Sequence, residues 1–100
     1  ILINEESLHI NKSTGYIDSA HEKASRGALK SAIDREMNSE TIIIADALNY
    51  IKGYRYELYC IARSQRVVCC CVYIDAEDSL SASWHNHRKT MNEDTYSDDM

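Results

Sequence analysis

The sequence contains no proline and no phenylalanine, and its three glycines are scattered at Gly15, Gly27 and Gly53. Proline ordinarily makes up about 5% of a protein, so its absence excludes Pro-rich linkers and suits the trimmed interior of a domain. No apolar run approaches the ~20 residues that a membrane-spanning helix needs, and no basic-then-apolar leader opens the chain. No membrane partner is expected. An excess of positive charge is missing too. Eleven Lys and Arg face sixteen Asp and Glu, a net charge of -5, which excludes a whole-surface nucleic-acid binder and leaves room for a local basic patch. A disulfide framework is excluded by the layout of the four cysteines. Cys69, Cys70 and Cys71 are consecutive, and neighbouring strand residues point to opposite faces. Reduced, buried thiols of a cytosolic or nuclear protein are expected instead.

What is present is a 100-residue chain, 44% apolar, enough for one compact unit. It opens on Ile1-Leu2-Ile3, inside what reads as a strand, so residues 1–100 are expected to be the internal part of a longer domain. That strand ends in the polar cluster Asn4-Glu5-Glu6-Ser7. Ser19 and Glu22 then have capping-box spacing. Behind them Ala20, Ala24, Ala28, Leu29, Ala32, Ile33 and Met37 recur at helical spacing, predicting a helix from Ser19 to Met37. Thr41-Ile42-Ile43-Ile44-Ala45 is apolar and β-branched throughout, which suits a strand covered on both faces. A second helix is predicted from Lys52 to Ser64, with Leu58, Ile61 and Ala62 inward. Val67 to Ile74 reads as a third buried strand, Asp75 to about Arg88 as a third helix, and Glu93 to Asp99 as an acidic tail. Buried strands alternating with helices predict an α/β fold with a parallel sheet and right-handed crossovers.

In such sheets, ligands bind beyond the carboxyl ends of the strands. Ile42-Ile43-Ile44-Ala45-Asp46 places a carboxylate at that mouth, the arrangement by which nucleotide hydrolases hold Mg²⁺. A strand also ends in Asp where a turn or a helix cap simply follows, and spacing alone leaves both readings open. The companion loop G-x-x-x-x-G-K-S/T, whose amides wrap phosphates, is absent, because no glycine of this chain precedes Lys-Ser or Lys-Thr. In a P-loop domain it follows the first strand. Its place is therefore expected upstream of Ile1, which makes Ile1 to Asn4 the second strand.

The block from Asp46 to Cys60 decides between these readings. Asp46-Ala47-Leu48-Asn49-Tyr50-Ile51-Lys52-Gly53-Tyr54-Arg55-Tyr56-Glu57-Leu58-Tyr59-Cys60 resembles, nearly without interruption, the run D-S-L-N-Y-I-K-G-F/Y-R-Y-E-L-Y-C of the killer-toxin-insensitivity family. These are P-loop ATPases that accompany the Elongator complex and are related to phosphoseryl-tRNA kinase. Asn4-Glu5-Glu6-Ser7-Leu8 is similar to the family's D-E-S-L at the end of the second strand. Glu22-Lys23 with Arg26-Gly27-Ala28-Leu29-Lys30-Ser31 resembles its E-K-x-L-R-G-A-L-K-S helix. Ala62-Arg63 is similar to its L-A-R, and Trp84 with Asn86 weakly to its W-N pair.

The resemblance implies a P-loop NTPase-type domain, here without its first strand and phosphate loop. It implies ATP and Mg²⁺ as cofactors, tRNA and the Elongator complex as partners, support of tRNA wobble-uridine modification, and a cytoplasmic and nuclear location. Asp46 becomes the Walker B acid on Mg²⁺, and Glu5 a second catalytic carboxylate. Asn49, Lys52, Arg55, Tyr56 and Arg88 become candidates for tRNA or phosphate. Three departures stand out: the missing loop, Glu5 in place of Asp, and Ala47 in place of Ser. The missing loop implies poor nucleotide binding by this chain alone.

Other residues carry blander readings. Lys52, Arg55, Arg63 and Arg66 outnumber Glu57, with Tyr50, Tyr54, Tyr56 and Tyr59 interleaved. Such a patch suits phosphates and bases, but from spacing alone a partly solvated helix with tyrosines packed on the sheet is the stronger reading. The resemblance reverses this for Lys52 and Arg55, while Tyr59 stays a core expectation. His85 and His87 point to different sides of a helix and make a poor zinc pair. The cysteine triplet is expected to pack within a strand. Arg88 and Lys89 sit where related kinases carry a basic lid helix, although an ordinary helix end attracts the same residues. Two rivals remain: a tRNA-type kinase with Glu5 or Glu6 as base, and a non-catalytic platform for a partner.

Overall fold

The computed structural model of the chain describes residues 1–96; the part of the acidic tail beyond Tyr96 lies outside the described residues. The elements run β1 (Leu2–Ile3), a short 3-10 turn (Glu6–Leu8), α1 (Ser19–Glu36), β2 (Ile44–Ala45), α2 (Lys52–Ser64) and α3 (Asp78–Thr90). β1 and β2 pair in parallel, Leu2 against Ile44 and Ile3 against Ala45. The Ile44 amide donates to Ile1 O at 2.9 Å and the Asp46 amide to Ile3 O at 3.0 Å. A parallel pair cannot be closed by a tight turn, and α1 is the crossover between its strands.

α1 forms where the helical spacing placed it, with a cap one residue earlier than predicted. Asp18 holds extended dihedrals and its Oδ1 accepts from the His21 amide at 2.8 Å. Its carboxylate is as good a cap as serine and adds a charge that suits the helix N-terminus. Glu22, freed from the expected capping box, accepts instead from Arg26 one turn on, at 2.8 Å. The inward stripe is Ser25, Leu29, Ala32 and Ile33. Leu29, Ala32 and Ile33 pack with Ile3 as the buried core, with Ile43, Ala45, Ala47 and Leu58 at its margin. Each large aliphatic side chain there contributes roughly 2 kcal/mol of burial.

Two expectations about the sheet are corrected. Ile42 is 81% exposed and Ile44 is exposed as well, so β2 is covered on one face by the described residues rather than on both. The segment from Val67 to Ile74 is not a strand. Its backbone is irregular, Val68 is 95% exposed, and Cys69, Cys70 and Cys71 are exposed rather than buried. The physical reason is pairing: an apolar β-branched run becomes a strand only against a free sheet edge. Here the chain turns away first. Arg66 adopts φ 57°, the Val67 amide donates to Ala62 O and the Arg66 amide to Arg63 O. Those two bonds are the left-handed helix stop that ends α2. α3 consequently begins at Asp78, three residues later than predicted, and buries no residue fully.

Candidate functional site at the strand ends

Asp46 follows β2 directly, and Glu5 lies two residues beyond β1. Because the strands are parallel and in register, both carboxylates reach the same end of the sheet. They line one open cavity of about 230 Å³ together with Asn4, Lys12, Ala47, Leu48 and Tyr96. The two carboxylates differ sharply in environment. Asp46 is exposed. Glu5 is only 2% exposed.

Burial of Glu5 is supported by two phenols. Its Oε1 accepts from the Tyr16 hydroxyl at 3.0 Å and from the Tyr96 hydroxyl at 2.5 Å. The two rings meet edge-on, with centroids 5.5 Å apart. Burial is the larger reason that both phenols hold their protons well above the ordinary tyrosine range. The Glu5 charge and its hydrogen bonds add to it, and for Tyr96 so does Asp46. Tyr16 is placed by a tight loop. The Gly15 amide donates to Asn11 O at 2.7 Å and Gly15 O accepts from Ser25 Oγ at 2.7 Å. A Cβ at Gly15 would lie 2.7 Å from Asn11 O, so no larger residue fits there without displacing backbone.

The loop from Ala47 to Ile51 is tied down from both sides. Asn49 sits at φ 46°; its side-chain amide donates to Ala45 O at 3.0 Å, and its own carbonyl accepts from Arg55 Nη1 at 2.9 Å. On the other side the Tyr50 hydroxyl bonds Glu22 Oε1, and the Tyr54 hydroxyl donates to Arg26 O at 3.3 Å. The Glu22–Arg26 pair of α1 thus anchors the loop behind Asp46. The two most distinctive stretches of the sequence, Asp46 to Cys60 and Glu22 to Ser31, meet here.

Among the sequence candidates, Glu5 and Asp46 come together. Asn49 and Arg55 pair with each other and hold the loop behind the cavity. Lys52 and Tyr56 lie exposed on α2, Tyr56 at 64%. Tyr59, expected in the core, is 45% exposed beside Tyr56, with ring centroids 6.1 Å apart; the α2 face it occupies is not covered by the sheet. Arg88 is exposed in the last turn of α3 and is not among the residues lining the cavity. Tyr16, Tyr96 and Lys12 were not legible as site residues. Glu5 and Tyr96 stand 91 positions apart, and no spacing rule links a strand end to a segment beyond the third helix.

The chain matches the protein-family profile described as "Chromatin associated protein KTI12" over residues 1–100. It is 41% identical over 97 residues to the "Protein KTI12 homolog" of Arabidopsis thaliana, covering 97% of this chain and 32% of that protein. It is 43% identical over 100 residues to "Protein kti12" of Schizosaccharomyces pombe, covering 100% of this chain and 34% of that protein. It therefore spans about a third of the length of these relatives. Its backbone superimposes on the crystal structure of Chaetomium thermophilum Kti12 in complex with ADP-AlF3. There the TM-score is 0.79 at 31% identity, covering 94% of this chain and 52% of that one. With a profile match over residues 1–100 and relatives 41–43% identical across nearly all of it, the chain belongs to the KTI12 family.

Proposed function

We propose that the intact protein binds and hydrolyses ATP with Mg²⁺ at the strand mouth, as an Elongator accessory factor that binds tRNA and supports wobble-uridine modification. The observation that carries the nucleotide part is the exposed Asp46 carboxylate at the end of β2, lining a cavity beside Glu5. The Chaetomium thermophilum relative in complex with ADP-AlF3 supports it. Mg²⁺ takes one or two carboxylates and keeps several waters, and one solvent-facing carboxylate on a hydrogen-bonded strand end fits that demand. Among the described residues there is no group of three or more His, Cys, Asp or Glu set to hold a metal, so the remaining ligands in this reading are water and phosphate. Bound there, the ion would offset phosphate charge.

The chain's own residues supply the frame. The Asp46 amide is fixed to Ile3 O, Asn49 and Arg55 hold the following loop, and Lys12 is the cation lining the cavity. Glu5 serves as a held wall of the site. With both hydroxyls on one of its oxygens it is poorly placed to take a substrate proton, which counts against the rival reading of a kinase with Glu5 as base. The phosphate-cradling loop is not among these 100 residues, so the reading applies to the intact protein. For tRNA the reading rests on Lys52 and Tyr56, exposed on α2, on the exposed Arg55 nearby, and on Arg88 as a further candidate at the end of α3. The family description, "Chromatin associated protein", supports a nuclear location, and a cytoplasmic pool is part of the same proposal. In the intact protein Asp46→Ala should abolish ATP hydrolysis while leaving the circular-dichroism spectrum unchanged. Hydrolysis at the wild-type rate in that variant refutes Asp46 as the metal acid.

A further inference from the structure

The outer face of α2 carries a row of side chains that takes no part in bracing the loop behind Asp46. Lys52, Tyr56, Tyr59 and Arg63 follow one another at i, i+4, i+7 and i+11, which returns each of them to the same side of a helix with 3.6 residues per turn. All four are exposed. The opposite side of α2 is the packed one: Tyr54 and Ala62 are buried, and Leu58 packs against the core. At 1.5 Å of rise per residue the row runs for about 16 Å.

Its composition is not that of an ordinary solvated helix face. The two central residues are large aromatics, Tyr56 64% and Tyr59 45% exposed. Their rings sit side by side, with centroids 6.1 Å apart and planes tilted by 33°. Neither ring caps the other face to face, so both keep flat apolar area open to a planar ligand. Lys52 and Arg63 flank them, one at each end of the row. Glu57 is the one acid of α2. It lies off the row, and its carboxylate faces the Lys30 ammonium of α1 at 3.5 Å. In a chain of net charge -5, this row is therefore positive and free of acids.

A single strand of nucleic acid complements such a row on both counts. Its phosphates supply the negative charge, and its bases supply flat faces for the tyrosines to cover. A duplex offers only the first, because its bases are already stacked on one another and present no face to a side chain. We infer that the row is a stacking platform for unpaired RNA: Tyr56 and Tyr59 each take one base, and Lys52 and Arg63 take the flanking phosphates. The part of a tRNA held there is then a loop or an unpaired end, not a double-stranded stem. This rests on the tRNA-binding reading of α2 and extends it to Tyr59 and Arg63.

Fluorescence anisotropy on the intact protein tests it, with two probes: an unstructured RNA of about ten nucleotides and a blunt RNA duplex of the same strand length. Tyr56→Ala and Tyr59→Ala should each weaken binding of the single strand about tenfold, the contribution of one stacked base. Duplex affinity and the salt slope should stay as in the wild type, which also shows that the fold is intact. Tyr59→Phe should bind the single strand as the wild type does, because a phenyl ring stacks as a phenol does. Arg63→Ala should weaken both probes and flatten the single-strand salt slope by about 0.7 unit. Tyrosine-to-alanine variants that bind the single strand at wild-type affinity, or that lose both probes equally, overturn the platform. If Lys52→Ala and Arg63→Ala still weaken binding in that case, α2 is a phosphate-only face and the tRNA reading stands. If no substitution in the row changes binding of either probe or of tRNA, both fall.

Discussion

The cluster around Glu5 can be dissected with two substitutions that separate its hydrogen-bonding role from its charge. Both tyrosine hydroxyls bond the same oxygen, Oε1. In Glu5→Gln the amide oxygen can occupy that position and accept from both. The bonds fall from charge-assisted to neutral strength, and relief of a buried charge offsets part of that loss. A destabilisation of about 1 kcal/mol is expected. Glu5→Leu fills the same space and leaves two hydroxyls without their acceptor. An unsatisfied buried hydroxyl costs about 1–3 kcal/mol. Both rings are only half-buried, so the lower half of that range applies to each, for a total of about 2–4 kcal/mol. Urea unfolding followed by the fluorescence of the single tryptophan, Trp84, reads the difference. With slopes of about 1–3 kcal/mol per molar, the midpoint of Glu5→Leu should fall by roughly 1–2 M and that of Glu5→Gln by less than half as much. A leucine variant as stable as the glutamine variant would show that the tyrosine bonds contribute nothing and that Glu5 is only a tolerated buried charge.

Two further outcomes follow from the same geometry. Tyr16 and Tyr96 both titrate above the ordinary value of 10.0, through burial first and Glu5 second. A folded-state pKa above the unfolded one contributes stability that is complete below about pH 10 and lost as pH rises past it. The urea midpoint should therefore be flat from pH 8 to 9.5 and fall above 10, less steeply in Tyr16→Phe; a midpoint independent of pH up to 11.5 refutes this. On α2, Lys52→Ala and Arg55→Ala in the intact protein should each weaken tRNA binding and flatten its salt dependence by about one unit. Lys30→Ala should do neither, its ammonium already lying 3.5 Å from Glu57. Unchanged affinity and slope in both α2 variants would reduce the patch to a solvated helix face.

The parallel α/β arrangement was legible because its signals are local. The alternation of Leu29, Ala32 and Ile33 marks the inner face of α1, and Ile42 to Asp46 marks a strand ending in an acid. The failures share a cause, which is that they depend on partners distant in sequence. Val67 to Ile74 has every local property of a strand, yet strand formation requires pairing with a sheet edge, and the segment pairs with neither edge of the two-stranded sheet. Tyr59 sits in an amphipathic helix on a face that the core does not cover among the described residues, so its ring stays 45% exposed. For the site, Asp46 and Glu5 follow from strand-end position and from family resemblance. Tyr16, Lys12 and Tyr96 follow from neither, since a tight Gly15 loop and a left-handed turn at Asn92 bring them in. Asn49 and Arg55 became candidates through the family resemblance; the bond between them, which holds the backbone behind Asp46, follows from no spacing rule.

The central claim is that Asp46 holds the Mg²⁺ of a bound nucleotide, and its most direct test is ATP affinity of the intact protein with and without Mg²⁺. Calorimetric titrations of the wild type and of Asp46→Asn should be run in both conditions. If Asp46 is the metal acid, Mg²⁺ tightens ATP binding to the wild type by at least tenfold, about 1.4 kcal/mol, and leaves the Asp46→Asn affinity nearly unchanged. An equal gain from Mg²⁺ in the two proteins would contradict the account and move the metal elsewhere.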